Sequence, residues 1–422
     1  MTSAARRNIE LYGLILALAI LAFGTAITRA AQTGAWSAPR TDLIWLIAVL
    51  FIAHLAARLR APGADPLILP ICVFLSALGL LELQALKSPL LLSQQLWVIM
   101  GVSASVGVWL IVKEPDKLGE FKYSAGVIGL ALLLSPIVFG AVRGGSKSWL
   151  VVGGYSFQPS ELAKIFLIVF LAAYLAEKKE VLTTGRRRLF GVNWPDTRHF
   201  GPLVVTWAIS LLILGFERDL GSSLIFFSVF LVMLYCATGR AALVAVGVCL
   251  FLVGIFVAYH TFSHVAPRID VWLKPLPADV GGSSYQVAQS LFALAAGGMS
   301  GAGLGAGFLG RQIAMPAVHT DFIFSALGEE LGLAGAAAIV LAYMLFLSRG
   351  FHIAAGARSD FTKLLAAGLA TVTAVQAVVI IGGVIKMLPL TGVTLPFVSY
   401  GGSSMISSFV MVGLLLAVSR ER

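Results

Sequence analysis

Runs of about twenty apolar residues, separated by short polar segments, recur along the whole 422-residue chain. An α-helix needs roughly twenty such residues to cross the hydrocarbon core of a bilayer. The pattern therefore predicts an all-α fold, a polytopic membrane helix bundle with about twelve transmembrane helices. The predicted spans lie near residues 11–30, 42–59, 66–86, 94–112, 124–142, 159–177, 202–216, 220–238, 241–259, 321–347, 362–385 and 402–419.

The composition excludes a soluble globular protein. Hydrophobic residues make up 59% of the chain and charged residues only 12%, whereas roughly a quarter of an average soluble domain is charged. Cys72, Cys236 and Cys249 all fall inside apolar runs, where cysteine behaves as a small core residue. The sequence therefore predicts neither a disulfide framework nor a metal cluster.

The net charge of +10 indicates membrane topology and not nucleic-acid binding. With an even number of spans, the loops on the side that holds both ends of the chain carry about twice as many lysine and arginine residues as the other loops. Positively charged short loops face the cytoplasm, so we predict that both ends are inside. Residues 260–320 then form a large extracytoplasmic loop. A single interrupted helix over 202–238 would change this parity.

Several ionisable residues fall inside or beside the predicted spans, where an unpaired charge is costly. Glu161 and Lys164 lie about one helical turn apart on one face, so we expect them to pair. The alternative is an ordinary helix start with Lys164 extended to the interface. Asp219 belongs either to a polar cavity or to a charged turn. Because Glu329 and Glu330 point to different sides of a helix, at least one must face a cavity, face a cation or be protonated.

Two broken segments separate the later spans. Residues 297–310 are rich in glycine, but no predicted strand precedes them, so they are a weak nucleotide-binding signature. Residues 297–310 more plausibly allow backbone and helix ends to approach each other closely, or present their N–H groups to an anion. Residues 388–404 form the second segment, and broken backbone at membrane depth is tolerated only where protein or a cavity surrounds it.

Five separated motifs connect these polar residues. They are Gln158-Pro159-Ser160-Glu161 with Lys164, Asp219-Leu220-Gly221, Tyr285-Gln286 with Gln289-Ser290, His319-Thr320-Asp321 with Glu329-Glu330, and Pro396 to Ser403. Their order resembles that of the SEDS family, the RodA/FtsW-type proteins. The resemblance covers residues 66–420, which we interpret as a SEDS-like membrane core preceded by an N-terminal two-helix extension, residues 1–65.

The resemblance implies an enzyme of bacterial cell-wall synthesis. SEDS proteins are peptidoglycan glycosyltransferases that polymerise lipid II into glycan strands at the outer face of the cytoplasmic membrane, for cell elongation or division. A class B penicillin-binding protein is the partner that the family implies. We therefore expect lipid II, membrane lipid and such a protein as binding partners, and no nucleic acid.

The outer loop contains the candidate catalytic carboxylate, Asp279, with Arg268 and Lys274 nearby in the sequence. The residues alone favour an ordinary turn, and Asp270 is a rival carboxylate in the same loop. The resemblance, aligned through Tyr285 and its neighbour, places Asp279 at the family's catalytic aspartate. It implies that Asp279 is the general base for the acceptor hydroxyl.

We expect polar residues of the motifs and of the outer loop to bind the substrate. Cations would stabilise the departing pyrophosphate. A divalent cation such as Mg²⁺ or Mn²⁺ could share this role, although no ligand spacing identifies a metal site. The predicted substrate-binding residues are Lys164, Glu161, Asp219, Arg268, Lys274, Tyr285, Gln286, Gln289, Ser290, His319, Asp321, Glu329, Ser399 and Ser403.

Two other functions remain open on the sequence. A lipid II flippase or transporter would also need many spans and intramembrane charges, but it usually has paired repeats with matching broken helices, and we detect no such symmetry. A non-catalytic scaffold for a class B penicillin-binding protein would leave the charges of the outer loop without a use.

Overall fold

The structure, a computed structural model, describes residues 2–36, 43–143, 146–153, 155–183, 187–189, 192–194, 197–216, 218–262, 265–276, 283–309, 315 and 317–421. Fourteen α-helices lie within these ranges. The first seven are α1 (Ser3–Thr33), α2 (Leu43–Arg60), α3 (Ile68–Ala85), α4 (Leu91–Ile111), α5 (Lys122–Phe139), α6 (Pro159–Thr183) and α7 (Thr197–Phe216). The others are α8 (Leu220–Thr238), α9 (Ala241–Thr261), α10 (Ala266–Leu273), α11 (Ser283–Gly297), α12 (Ile323–Ala355), α13 (Asp360–Val384) and α14 (Gly402–Arg420).

The helices confirm the predicted all-α membrane bundle. Among the described residues, eleven helices are long and apolar enough to cross a membrane. Each predicted span overlaps a helix, and the span expected at 202–216 falls in α7, which is not one of the eleven. Helices α3, α6, α13 and α14 form the buried centre, whereas α9 lies at the edge and packs mainly against α8.

The α7–α8 junction separates two helices. Arg218 adopts a left-handed backbone conformation with φ of 60°, which ends the helical path. Asp219 then caps α8, since its Oδ1 accepts a hydrogen bond from the Ser222 N–H at 3.0 Å. A short polar side chain that accepts a hydrogen bond from the backbone N–H three residues later is typical of a helix N-terminus. Residues 202–238 are therefore not one interrupted helix.

Helix α12 is broken at Gly332, whose φ of 67° favours glycine. The glycine-rich segment completes the hydrogen bonding around this break. Leu333 N–H donates to Gly298 O (2.9 Å), and Ala302 N–H donates to Glu329 O (2.9 Å). The prediction that this segment brings backbone and helix ends together is confirmed. Because the inserted backbone supplies partners, the break is tolerated inside the bundle.

Five short strands lie outside the helices and were not predicted. In the segment before α6, β1 (Ala141–Arg143), β2 (Ser146–Val152) and β3 (Tyr155–Phe157) form an antiparallel sheet. Before α7, β4 (Arg187–Leu189) pairs with β5 (Val192–Trp194). β2, β3 and β5 contain aromatic residues, and all five runs are far too short for a span, which suits hairpins outside the hydrocarbon. A 3₁₀ helix, Pro115–Phe121, joins α4 to α5.

Helices α1 and α2 pack as a hairpin against α3 and α4. Close approach requires small residues, because a Cβ on Gly24 would lie 2.7 Å from Leu81 Cδ1. A buried ion cluster lies inside the hairpin, where Arg7 pairs with Glu10 and the Nδ1 atom of His54 lies 2.9 Å from Glu10 Oε1. The charges are thereby compensated within the hairpin.

The start of α1 and the end of α14 meet at the same end of the bundle. Arg6 donates a hydrogen bond to Gly63 O at 2.8 Å. A Cβ on Gly63 would in turn lie 3.7 Å from Arg420 O. This placement agrees with the even number of spans expected from the sequence, which is reached when α7 is counted with the eleven apolar helices.

Candidate functional site

A polar network crosses the centre of the bundle at the start of α6. Lys164 Nζ lies 2.9 Å from Glu161 Oε2, and both side chains are buried. Lys164 also donates to Gln376 Oε1 on α13 (2.9 Å), and Ser407 on α14 donates to Glu161 Oε2 (2.9 Å). The predicted pairing of Glu161 with Lys164 is confirmed. The lysine is held inside the protein and does not extend to the interface.

The network continues into the broken segment between α13 and α14. Gln376 Nε2 donates to Thr394 O (2.9 Å), and Thr394 Oγ1 lies 2.7 Å from Ser404 Oγ. Gln376 therefore accepts from Lys164 and donates to the segment at the same time. Gln376 thus supplies a partner for irregular backbone inside the bundle, and Ser404 supplies one for the Thr394 side chain.

A second group of polar residues, which we call the Arg268 cluster, consists of Gln158, Asp219, Arg268 and Asp321. Gln158 lies just before α6, and its Nε2 donates to Asp219 Oδ2 at 3.1 Å. Arg268, on α10, donates to Thr391 O at 3.1 Å and is close enough to interact electrostatically with Asp219 and Asp321. One cation, Arg268, therefore lies near two carboxylates. Gln158, which binds one of these carboxylates, precedes Glu161 by about one helical turn along the chain.

Burial shifts the titration of this cluster. It raises the pKa of the Asp321 carboxyl to about 6, and a hydrogen bond from Thr320 and the charge of Arg268 oppose part of that rise. Burial also lowers the pKa of Arg268, against the opposite influence of Asp219 and Asp321. The pKa of His319 is lowered by burial as well. A carboxyl that titrates near neutral pH in a polar cluster is a recognised indication of a functional site.

Backbone contacts fix the segment that separates the two networks. Ser399 Oγ donates to Thr320 O (2.6 Å), and Tyr400 N–H donates to His319 O (2.9 Å). Gln94 on α4 donates to Ser399 O (3.0 Å). The structure therefore places Ser399 and His319 where they position the main chain beside the Arg268 cluster.

Glu329 and Glu330 are buried and are surrounded by the glycine-rich segment. Glu329 accepts hydrogen bonds from the Phe308 N–H (2.9 Å) and the Leu309 N–H (3.0 Å), and Glu330 accepts one from the Gly305 N–H (2.9 Å). Main-chain N–H groups thus bind both carboxylates, where the sequence had suggested a cavity, a cation or a protonated state. The prediction that the glycines present N–H groups to an anion is confirmed, and the anion is the protein's own.

Sequence reasoning missed three buried polar residues. Gln376 and Ser407 complete the Glu161–Lys164 network. Glu82 on α3 is fully buried and interacts electrostatically with Glu329 and its neighbour, and neither of its carboxyl oxygens has a hydrogen-bond partner among the described residues. The available signal was an isolated polar residue within an otherwise apolar run.

The predicted residues of the outer loop are placed apart from one another where the structure describes them. Ser290 Oγ lies 2.6 Å from Ser325 Oγ and donates to Val384 O (3.1 Å), so it joins α11 to α12 and α13. Lys274 is exposed at the end of α10. Tyr285, Gln286 and Gln289 are half-buried on α11, and Ser403 is buried in the first turn of α14.

Asp279, the predicted general base, lies outside the described residues. Its rival Asp270 is described and lies on α10, where Tyr259 donates a hydrogen bond to its Oδ1 at 3.2 Å. Among the described residues, no group of three or more histidine, cysteine, aspartate and glutamate side chains could hold a metal ion. The donor set therefore does not identify a site for Mg²⁺ or Mn²⁺.

Comparison with known proteins gives one consistent result. A protein named peptidoglycan glycosyltransferase RodA from Mycobacterium tuberculosis is 39% identical over 430 residues, which cover 98% of this chain and 90% of the relative. Stage V sporulation protein E from Bacillus subtilis is 38% identical over 297 residues, which cover 69% of this chain and 76% of the relative.

Solved structures and a family model agree with these relatives. The crystal structure of the rod shape determining protein RodA from Thermus thermophilus matches with a TM-score of 0.61 at 25% identity, over 85% of this chain and 98% of that chain. A chain from a study of polymerisation and crosslinking by a peptidoglycan synthase complex matches with a TM-score of 0.69 at the same identity and coverage. The family model described as "Cell cycle protein", FtsW/RodA/SpoVE, matches residues 64–422. The chain therefore belongs to the FtsW/RodA/SpoVE family.

Proposed function

We propose that this protein is a peptidoglycan glycosyltransferase that polymerises lipid II into glycan strands. The observation that carries the proposal is the Arg268 cluster, which lies next to the buried Glu161–Lys164 network and contains a fixed cation beside carboxylates. Near full-length identity of 39% to a protein named peptidoglycan glycosyltransferase RodA supports the same activity.

The reaction requires a base for the acceptor hydroxyl and a cationic group that stabilises the leaving pyrophosphate. In our proposal, Asp279 removes the proton from the acceptor sugar hydroxyl, whose oxygen attacks the anomeric carbon of the donor. The bond between that carbon and the polyprenyl pyrophosphate breaks, and the pyrophosphate leaves with the electron pair. Arg268 is a suitable partner for the developing negative charge, because a guanidinium donates several hydrogen bonds to phosphate oxygens.

Lys164 has a supporting role in this scheme. Its ammonium group is buried and already bound to Glu161 and Gln376. Together with Glu161, which accepts a hydrogen bond from Ser407, it holds α6, α13 and α14 in register next to the Arg268 cluster. A buried charge network of this kind positions groups precisely only when each member is satisfied.

We also propose an orientation and a partner. In our proposal, both ends of the chain lie in the cytoplasm and the Arg268 cluster lies near the outer face of the bacterial cytoplasmic membrane, and the lysine and arginine distribution supports this orientation. A class B penicillin-binding protein is the proposed partner, and the similarity to a chain from a peptidoglycan synthase complex supports it.

Purified protein with labelled lipid II, with and without a cognate class B penicillin-binding protein, tests the function. Glycan chains separated on a gel are the expected product. Translocation of lipid II across vesicles without any polymer would instead indicate a flippase. Enhanced crosslinking by the partner, with no polymer from this chain under any condition, would indicate a scaffold.

A further inference from the structure

A polar cavity of about 490 Å³ lies at the end of the bundle where α1 begins and α14 ends. Arg6 and Gly63 line it from the α1–α2 hairpin, and Asp65, Arg349, His352 and Ser419 line it from the rest of the chain. This cavity is far along the helices from the Arg268 cluster, because Arg349 lies near the end of α12 whereas Asp321 lies just before its start.

The acidic group of the cavity is fully engaged in its wall. Asp65 is buried, its Oδ1 accepts a hydrogen bond from the Leu67 N–H (3.0 Å), and its Oδ2 accepts one from Arg349 Nε (3.0 Å). The Asp65 N–H also donates to Ser419 Oγ at 3.1 Å. Asp65 therefore neutralises Arg349 and ties α3, α12 and α14 together.

The second arginine of the cavity, Arg6, has no acidic partner among the described residues. Arg6 forms no ion pair within the described part of the chain, and its hydrogen bond to Gly63 O (2.8 Å) uses one N–H group of the guanidinium. The adjacent Arg7 is compensated by Glu10. The cavity is therefore left with one uncompensated positive charge and with guanidinium N–H groups available to an acceptor.

The position of the cavity suggests the source of that acceptor. Its lining residues lie at or just beyond the ends of α1, α2, α3, α12 and α14, all of which are long and apolar enough to cross a membrane. The ends of spans coincide with the headgroup layer of a bilayer. Basic pockets between helices at this level bind the headgroups of anionic lipids.

We propose that this cavity binds the phosphate of an anionic phospholipid from the adjoining leaflet, and that Arg6 of the α1–α2 hairpin supplies the charge that binds it. The family model begins at residue 64, so Arg6 and Gly63 precede the matched region. The inference goes beyond the glycosyltransferase function and does not depend on it.

Lipid binding to the purified full chain tests the inference. Protein in nanodiscs of phosphatidylcholine with increasing phosphatidylglycerol is expected to retain phosphatidylglycerol, measured by native mass spectrometry. Arg6→Gln is expected to weaken retention about fivefold, which corresponds to about 1 kcal/mol for one arginine near a lipid phosphate. Arg60→Gln is the matched control, because Arg60 is exposed at the same end of the bundle. Equal retention by wild type and Arg6→Gln would overturn the proposal.

Two further measurements separate charge from folding and lipid from free phosphate. Arg6→Lys keeps the charge and should retain most of the lipid, whereas loss equal to that of Arg6→Gln would contradict charge recognition. We also expect phosphatidylglycerol in the nanodisc to raise the melting temperature of the protein. Millimolar inorganic phosphate, added to protein in phosphatidylcholine nanodiscs, should not produce this rise. If inorganic phosphate reproduced the full shift, the ligand would be a soluble anion and the lipid assignment would be wrong.

Discussion

Two groups of buried carboxylates in this bundle are stabilised in different ways. Glu161 is bound by side chains, Lys164 and Ser407, from two helices. Glu329 and Glu330 are bound by main-chain N–H groups of one glycine-rich segment. Both arrangements satisfy a charge that hydrocarbon would penalise.

The difference indicates which group is able to respond to a substrate. Side chains such as Lys164 and Gln376 change partners by rotation about single bonds, so the Glu161 network can adjust when an anion binds nearby. The main-chain N–H groups around Glu329 belong to backbone that is inserted into the break of α12. They cannot move without disrupting that segment, so we assign Glu329 and Glu330 a structural role.

The side-chain network predicts strong coupling. Glu161→Gln or Lys164→Met alone should cost about 3–5 kcal/mol of unfolding free energy, because each leaves a buried charge unpaired. The double variant should cost at least about 1 kcal/mol less than the sum of the single variants. Unfolding in detergent measures all three.

An exposed pair provides the control for this cycle. Lys117 and Glu114 have the same spacing and lie 3.1 Å apart, but their side chains are 63% and 62% exposed. Substitutions there should be additive, with a coupling of less than about 0.5 kcal/mol. Additivity at Glu161 and Lys164 as well would show that their contact is not energetically significant.

Substitution of Glu329, which is bound by main-chain N–H groups, should lower stability and have little effect on substrate binding. Glu329→Gln should lower the unfolding free energy by about 2–3 kcal/mol, because two N–H groups lose a charged acceptor. Glu120→Gln, at an exposed position, should change it by less than about 0.5 kcal/mol. An unchanged melting temperature for Glu329→Gln would refute the structural role.

The Arg268 cluster predicts a pH dependence of substrate binding. Burial raises the pKa of Asp321 to about 6, so its negative charge beside Arg268 is lost as the pH falls through that value. Pyrophosphate binding should then strengthen, and the apparent KM for lipid II should fall about fivefold between pH 7.5 and 5.5, as expected for a charge interaction of about 1 kcal/mol.

Asp321→Asn identifies the titrating group. The variant is permanently neutral at this position, so its apparent KM should be low and nearly independent of pH over the same range. Protonation of His319, whose pKa is lowered by burial, would also favour anion binding at low pH, but that effect would persist in Asp321→Asn. A wild-type pH profile retained in Asp321→Asn would place the titration on another residue.

Of the buried carboxyls, Glu82 should tolerate substitution by glutamine with the smallest loss of stability. None of its oxygens has a hydrogen-bond partner among the described residues, so the amide of Glu82→Gln removes no charged hydrogen bond. The melting temperature should change much less than for Glu329→Gln, corresponding to less than about 1 kcal/mol. A larger loss at Glu82 than at Glu329 would mean that Glu82 carries a charge on which the fold depends.

Local sequence spacing was sufficient for the parts of the site that lie on one element. Glu161 and Lys164 pair because residues three apart share a helix face. Spans followed from apolar run length. For the glycine-rich segment, the sequence left open a close approach of backbone and helix ends or the presentation of N–H groups to an anion. The role of Ser399 in fixing the backbone near Thr320 was not foreseen.

Long-range partners could not be derived from the sequence. Gln376 reaches Lys164 across 212 positions, and Ser407 reaches Glu161 across 246. The insertion of backbone next to Gly298 into the break of α12 depends equally on tertiary packing. No local periodicity encodes such contacts, which arise only when distant helices assemble.

The polymerisation rate of Asp279→Asn tests the proposed catalytic centre most directly. An amide keeps the size of the carboxyl but cannot accept a proton at neutral pH. We predict that Asp279→Asn lowers the rate of glycan synthesis from lipid II by about 10²–10⁴-fold, the usual contribution of a general base, while its melting temperature is unchanged. Asp270→Asn, in the same loop and bonded to Tyr259, should remain near wild type. A near wild-type rate for Asp279→Asn would contradict the account.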